Sequence, residues 1–229
     1  MRPDLLRRMV AEFLGTLLLL ATVVGSGITG ERLAGGNVAV ALLANSLSTG
    51  AALVALILAL GPMSGAHFNP VVTLADAWVG GIRWRDVPGY LGAQVSGAFA
   101  GVIVAHLMFG LPVVSASAHV RSGAAQVFSE FVATFGLMAV IWGCSRRRAE
   151  AVPYAVGGYI TAAYWFTAST SFANPAVTLA RAFTNSFAGI RLADVAPFVA
   201  AQVAGALAAT LLFAWLAPAA GKDRAARDI

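Results

Sequence analysis

Six apolar stretches, each near the about 20 residues that a helix needs to cross a hydrocarbon core, dominate this chain and make the bilayer its natural solvent. They fall at about residues 9–28, 38–60, 88–110, 126–145, 152–170 and 195–217, with short polar breaks between them. A soluble domain needs a solvated surface, and 229 residues that are 59% hydrophobic and 11% charged cannot supply one. The stretch from Val10 to Ile28 exceeds the apolar region of a secretory leader, and Gly25-Ser26-Gly27 is a vague cleavage site, so it is read as the first membrane helix. Two further apolar pieces, about 69–80 and 174–184, are too short to cross, and each opens on Asn-Pro. They read as half-helices inside the protein.

The remaining composition excludes several functions. A net charge of +5 would suit nucleic acid if it lay along one face, but the arginines sit between apolar spans, where topology explains them. The single cysteine, Cys144, has no partner for an internal disulfide, and no Cys/His cluster has metal-ligand spacing, so neither a metal nor another cofactor is expected. No nucleophile, base and orienting group can be assembled at the half-helices, which argues against an enzyme.

The chain repeats itself. Glu12-Phe-Leu-Gly-Thr16 resembles Glu130-Phe-Val-Ala-Thr134, and Asn69-Pro-Val-Val-Thr-Leu-Ala75 resembles Asn174-Pro-Ala-Val-Thr-Leu-Ala180. Downstream, Gly81-Ile82-Arg83 parallels Gly189-Ile190-Arg191, and Ala93-Gln94-Val95 parallels Ala201-Gln202-Val203. One transmembrane domain over 1–229 is expected, with repeat one at about 8–112 and repeat two at about 124–219. Three spans per copy is an odd number, so the second copy enters the membrane upside down relative to the first. Arginine and lysine set the orientation: Arg2, Arg7, Arg8, Arg83, Arg85, Arg146, Arg147, Arg148, Lys222, Arg224 and Arg227 fall on the side of the termini. Only Arg32, Arg121, Arg181 and Arg191 fall opposite, so both termini are expected in the cytoplasm.

A helix broken at mid-membrane leaves backbone groups that only protein or a wet cavity can satisfy, so a polar path is implied. Asn is a favoured N-cap and Pro fits the first helical position, so Asn69-Pro70 and Asn174-Pro175 start half-helices that an inverted repeat brings face to face. Each N-terminus carries roughly half a positive charge, and two together repel cations. Anything crossing there should be neutral, with the Asn amides donating to its oxygens.

In Ser64-Gly-Ala-His-Phe-Asn-Pro-Val-Val-Thr73, Ser171-Phe-Ala-Asn-Pro-Ala-Val-Thr178 and the two Glu motifs, the sequence resembles the aquaporin family over almost its full length. The resemblance implies an all-α, right-handed bundle of six tilted transmembrane helices plus two re-entrant half-helices, one pore per subunit and a homotetramer. The Asn-Pro motifs would be Asn69, Pro70, Val71 and Asn174, Pro175, Ala176, with Val71 a departure from the family's Ala. Glu12 and Glu130 would buttress the half-helix loops rather than touch solute. His67 would line the cytoplasmic vestibule, either as a pH gate or as a satisfied histidine. Asp76 and Arg181 read as interfacial or structural.

The narrow filter departs further. Most members place Arg directly after the second Asn-Pro-Ala, where this chain has Val177; counting back places the other filter positions at Thr49, Ala162 and Ser171. Thr178 stands where glycerol channels have Asp. Without the guanidinium the neck should be wider and less hostile to cations. An Arg-less filter with Val resembles a bacterial subgroup associated with arsenic resistance, which implies a bacterial inner (plasma) membrane and arsenite or methylated arsenicals as cargo beside water and glycerol-like polyols. The alternative function is an ion-coupled secondary transporter, since inverted repeats serve both classes. Such a carrier needs an ionisable relay, and beyond Glu12 and Glu130 the spans offer little.

Overall fold

Capping side chains extend the helices past their apolar runs. Asp4 accepts a hydrogen bond from the Arg7 amide at 2.9 Å and starts α1 (Leu5–Leu33) ahead of the apolar run expected from residue 9. Asn37 caps α2 (Val38–Ser64), which continues through Pro62 and ends on Gly65 in a left-handed conformation. The chain goes on through α3 (Pro70–Trp78), α4 (Val87–Met108), α5 (Ala124–Ser145), α6 (Val152–Phe166), α7 (Pro175–Ala180) and α8 (Val195–Leu216). This computed structural model describes residues 3–216, and no strand occurs among them. Arg2, Lys222, Arg224 and Arg227 of the orientation argument lie outside the described residues, as do the last positions of repeat two, 217–219.

The expected spans are present with one correction. Five helices of the described residues are long and apolar enough to cross a membrane, whereas α6 has 15 residues instead of running to residue 170. Thr167 turns to extended backbone at φ −106° and ψ 138°, and the chain re-enters the protein toward Asn174. A 3-10 turn at Ala149–Ala151 precedes α6 and supplies the missing length.

Packing follows the repeat. The first helix lies against α2 and α4, α5 lies against α6 and α8, and the two halves meet where α2 packs on α6. Small residues permit these approaches. A Cβ on Gly97 would sit 2.5 Å from the Phe13 carbonyl oxygen, and one on Gly205 would sit 2.5 Å from the Phe131 oxygen, the equivalent crossing in the other half. The half-helices cross over: α3 contacts α8 of the other repeat, α7 contacts α4, and the two touch each other.

Candidate pore

Each half-helix starts as its sequence dictates. Asn69 accepts from the Val71 amide at 3.1 Å, and Asn174 accepts from those of Ala176 and Val177 at 3.0 and 3.3 Å. Pro70 and Pro175 occupy the first helical positions, where no N–H is missed. The capping amides then reach across the repeats. Asn69 Nδ2 donates to the Ala173 carbonyl at 2.8 Å, and Asn174 Nδ2 donates to the Phe68 carbonyl at 2.7 Å. Each amide keeps a second hydrogen that no described residue accepts, and both side chains line one cavity of about 960 Å³.

The loops feeding the half-helices are strained in matching places. Gly65, Ala66 and Phe68 have φ of 93°, 50° and 49°; Thr170, Ser171 and Ala173 have φ of 60°, 50° and 48°. Left-handed backbone of this kind costs non-glycine residues about 1–3 kcal/mol each, so something must hold it. Glu12, fully buried, holds the first loop. It accepts from Ser64 Oγ at 2.6 Å, the His67 amide at 2.9 Å, the Phe68 amide at 2.7 Å and Gln94 Nε2 at 2.8 Å. Glu130, equally buried, accepts from the Phe172 and Ala173 amides at 2.8 Å each and from Gln202 Nε2 at 2.6 Å. Gln94 and Gln202 each also donate to a half-helix threonine, Thr73 or Thr178, at 2.8 Å. Neither carboxylate lines the cavity.

The cavity runs from Arg8 and Glu150 past both Asn residues to Arg181. His67 lines its inner part with Nδ1 3.0 Å from Thr73 Oγ1 and Nε2 3.6 Å from an Asp76 oxygen. Thr49, Ser171 and Val177 line it as well, all buried. Ala162 does not. It is exposed, because on α6 the lumen stripe is carried by Val156, Ile160 and Tyr164, and a residue two positions from both Ile160 and Tyr164 points to the other side of the helix. Tyr164 takes the place assigned to Ala162: its hydroxyl lies 3.2 Å from Thr49 Oγ1. The cavity lining beside Thr49 therefore contains an aromatic ring that counting back along the sequence missed.

Of the two roles expected for Arg181, interfacial or structural, the interfacial one does not hold. Arg181 is 2% exposed and lines the cavity, with its guanidinium carbon 3.4 Å from the centroid of the Phe172 ring. The Arg121 guanidinium lies against the same ring at 5.0 Å but is tied into loops, donating to the carbonyls of Gly189, Ser169 and Phe187 and to Thr170 Oγ1. The spacing could have signalled Arg181, which falls four residues after Val177, in the 3-10 turn Arg181–Phe183 that follows α7, and so lies on the same side.

Inverted helical repeats around a cavity, clasped at mid-length by two half-helices whose capping Asn side chains also bond across to each other's loops, define a membrane channel rather than an enzyme. The chain belongs to the major intrinsic protein family, whose pattern (Major intrinsic protein) matches residues 1–158. It is 58% identical over 213 residues to Aquaglyceroporin AqpS of Rhizobium meliloti (strain 1021), covering 93% of this chain and 91% of that one. It is 37% identical over 216 residues to Aquaporin NIP1-4 of Oryza sativa subsp. japonica, covering 90% and 77%. The solved aquaglyceroporin from Plasmodium falciparum superposes with a TM-score of 0.69 over 94% of this chain and 98% of that one; at 22% identity this is a likeness of fold.

Proposed function

We propose that the cavity is a passive conduction path for small uncharged solutes, water and glycerol-like polyols first, with Asn69 and Asn174 as its central donors. The observation that carries this reading is the reciprocal Asn-to-carbonyl clasp, which leaves one amide hydrogen of each Asn for a passing oxygen inside the cavity. The 58% identity to a protein named an aquaglyceroporin supports polyols. Thr49, Ser171, Val177 and Tyr164 form the outer neck in this reading, Glu12 and Glu130 hold the loops, and His67 lines the inner vestibule. With Val177 in place of a guanidinium directly after the motif, the neck also admits larger neutral solutes, arsenite and methylated arsenicals among them.

An ion-coupled carrier is disfavoured, because the carboxylates of Glu12 and Glu130 are saturated by loop amides and glutamines and stand off the cavity. Four copies with one pore each, and both termini in the cytoplasm, complete the proposal. Stopped-flow shrinkage of proteoliposomes tests it: glycerol must cross faster than in empty vesicles, without a proton or sodium gradient. Flux that requires a gradient would replace the channel with a carrier. Mass measurement in mild detergent tests the tetramer, and a stable monomer refutes it.

A further inference from the structure

We propose that Arg181 supplies the fixed charge and donor fork of the outer neck, making it a specificity-determining residue that admits acceptor-bearing neutral solutes and turns back cations. The inference rests on the cavity being the conduction path. Direction of chain makes it possible. The α7 helix grows outward from Asn174, Arg181 comes one turn after Val177, and a helical Cα–Cβ bond tilts back toward the N-terminus. The side chain therefore returns toward the centre, and its guanidinium rests on Phe172, which lines the cavity next to Ser171.

Its hydrogen bonding is incomplete in an informative way. Nε donates to the Ala188 carbonyl, yet Nη1 and Nη2 have no acceptor among the described residues, and neither is sealed from the cavity. No described carboxylate lies within ion-pair distance. Arg121 shows the contrast, since loop carbonyls take its donors. Ser171 lines the same cavity, and its buried hydroxyl has no partner among the described residues. A buried charge left partly unsatisfied is costly unless something completes its shell. The Phe172 face does so on one side. On the open side the completing group is an oxygen from water or a solute, whereas a cation meets like charge in a poorly solvated neck. The charge absent at Val177 is thus present one helical turn further along.

The test uses the full-length protein in proteoliposomes, with potassium flux and glycerol shrinkage read on the same preparation. The parent should conduct glycerol and hold potassium at the empty-vesicle level. Arg181→Gln, which keeps a donor for the Ala188 carbonyl, should raise potassium flux at least tenfold; Arg181→Lys should stay near the parent. Val177→Arg added to Arg181→Gln should lower the leak again, an outcome a merely structural role does not produce. Unchanged potassium flux in Arg181→Gln with glycerol flux retained overturns this inference and leaves the channel reading standing. A parent that conducts no glycerol overturns the channel reading itself. Should Arg181→Gln fail to assemble, the parent decides alone: potassium conduction with Arg181 in place overturns the inference.

Discussion

Glu130→Gln separates what holds the pore open from what holds the bundle together. The carboxylate accepts three hydrogen bonds, from the Phe172 and Ala173 amides and from Gln202, with no exposure to solvent. A glutamine there offers one carbonyl oxygen, which serves two donors at most, and its NH2 faces the third. Losing one hydrogen bond to a charged group costs about 1.5–3 kcal/mol, and the donor left buried without an acceptor costs about 1–3 more, so the loss is roughly 3–6 kcal/mol. Thr170, Ser171 and Ala173 hold left-handed backbone that costs about 1–3 kcal/mol each, roughly 3–9 in sum. The two quantities are of one size, so the loop relaxes while the membrane helices, packed elsewhere, remain. The expected result is a protein that inserts and assembles, melts at a lower temperature and conducts glycerol at least tenfold more slowly in stopped-flow shrinkage. Glycerol flux and melting temperature both equal to the parent would refute the claim that this carboxylate holds the loop.

Three further outcomes follow from the same geometry. Val177→Arg should exclude branched solutes before water and should lower the melting temperature, because two guanidinium groups about 6 Å apart repel by about 3 kcal/mol at an effective dielectric near 20; unchanged flux of a methylated solute would displace Val177 from the neck. Asn174→Ala loses a cap worth about 0.5–2 kcal/mol together with the bond to the Phe68 carbonyl, so glycerol flux should fall by more than stability does, and a variant conducting like the parent would unseat the clasp. In the loop after α4, partial burial and then the charges of Arg121 and Arg181 lower the pKa of His119. Its ring stays neutral at pH 7, and the stability linked to it is present above the ordinary value of about 6.5 and lost as pH falls toward the lowered one; an NMR titration midpoint above the ordinary value would contradict that placement.

The bundle was legible because hydrophobic length and internal duplication are properties of the string itself. Two Asn-Pro pairs at equivalent places in two odd-numbered sets of spans leave little choice but apposed half-helices. Glu12 and Glu130 were legible as a repeated pair, although the string gave no sign that Gln94 and Gln202 would each bridge a carboxylate to a half-helix threonine. The neck was read less well, and for a physical reason. Counting residues back from Asn174 assumes a fixed geometry across a loop, and this loop has left-handed backbone at Thr170, Ser171 and Ala173 and extended backbone at Thr167, where it joins a shortened α6. Tyr164 was hidden by that count, while the stripe of Val156, Ile160 and Tyr164 at helical spacing pointed to it. Arg181 was hidden because a charge seven residues beyond a motif looks like the end of a helix, and only the backward tilt of its side chain brings it to the cavity lining.

The clasp has a consequence for how the protein is made. Asn69 donates to a residue 104 positions later, and Asn174 donates to one 106 positions earlier. At a synthesis rate of about 5–20 residues per second, the first half-helix waits about 5–20 s for its counterpart to leave the ribosome. Through that interval the Phe68 carbonyl and the Asn69 amide need water or the insertion machinery as surrogate partners, since lipid offers none. The first half can be threaded, oriented and anchored on its own, but the passage through it exists only after residue 174 arrives.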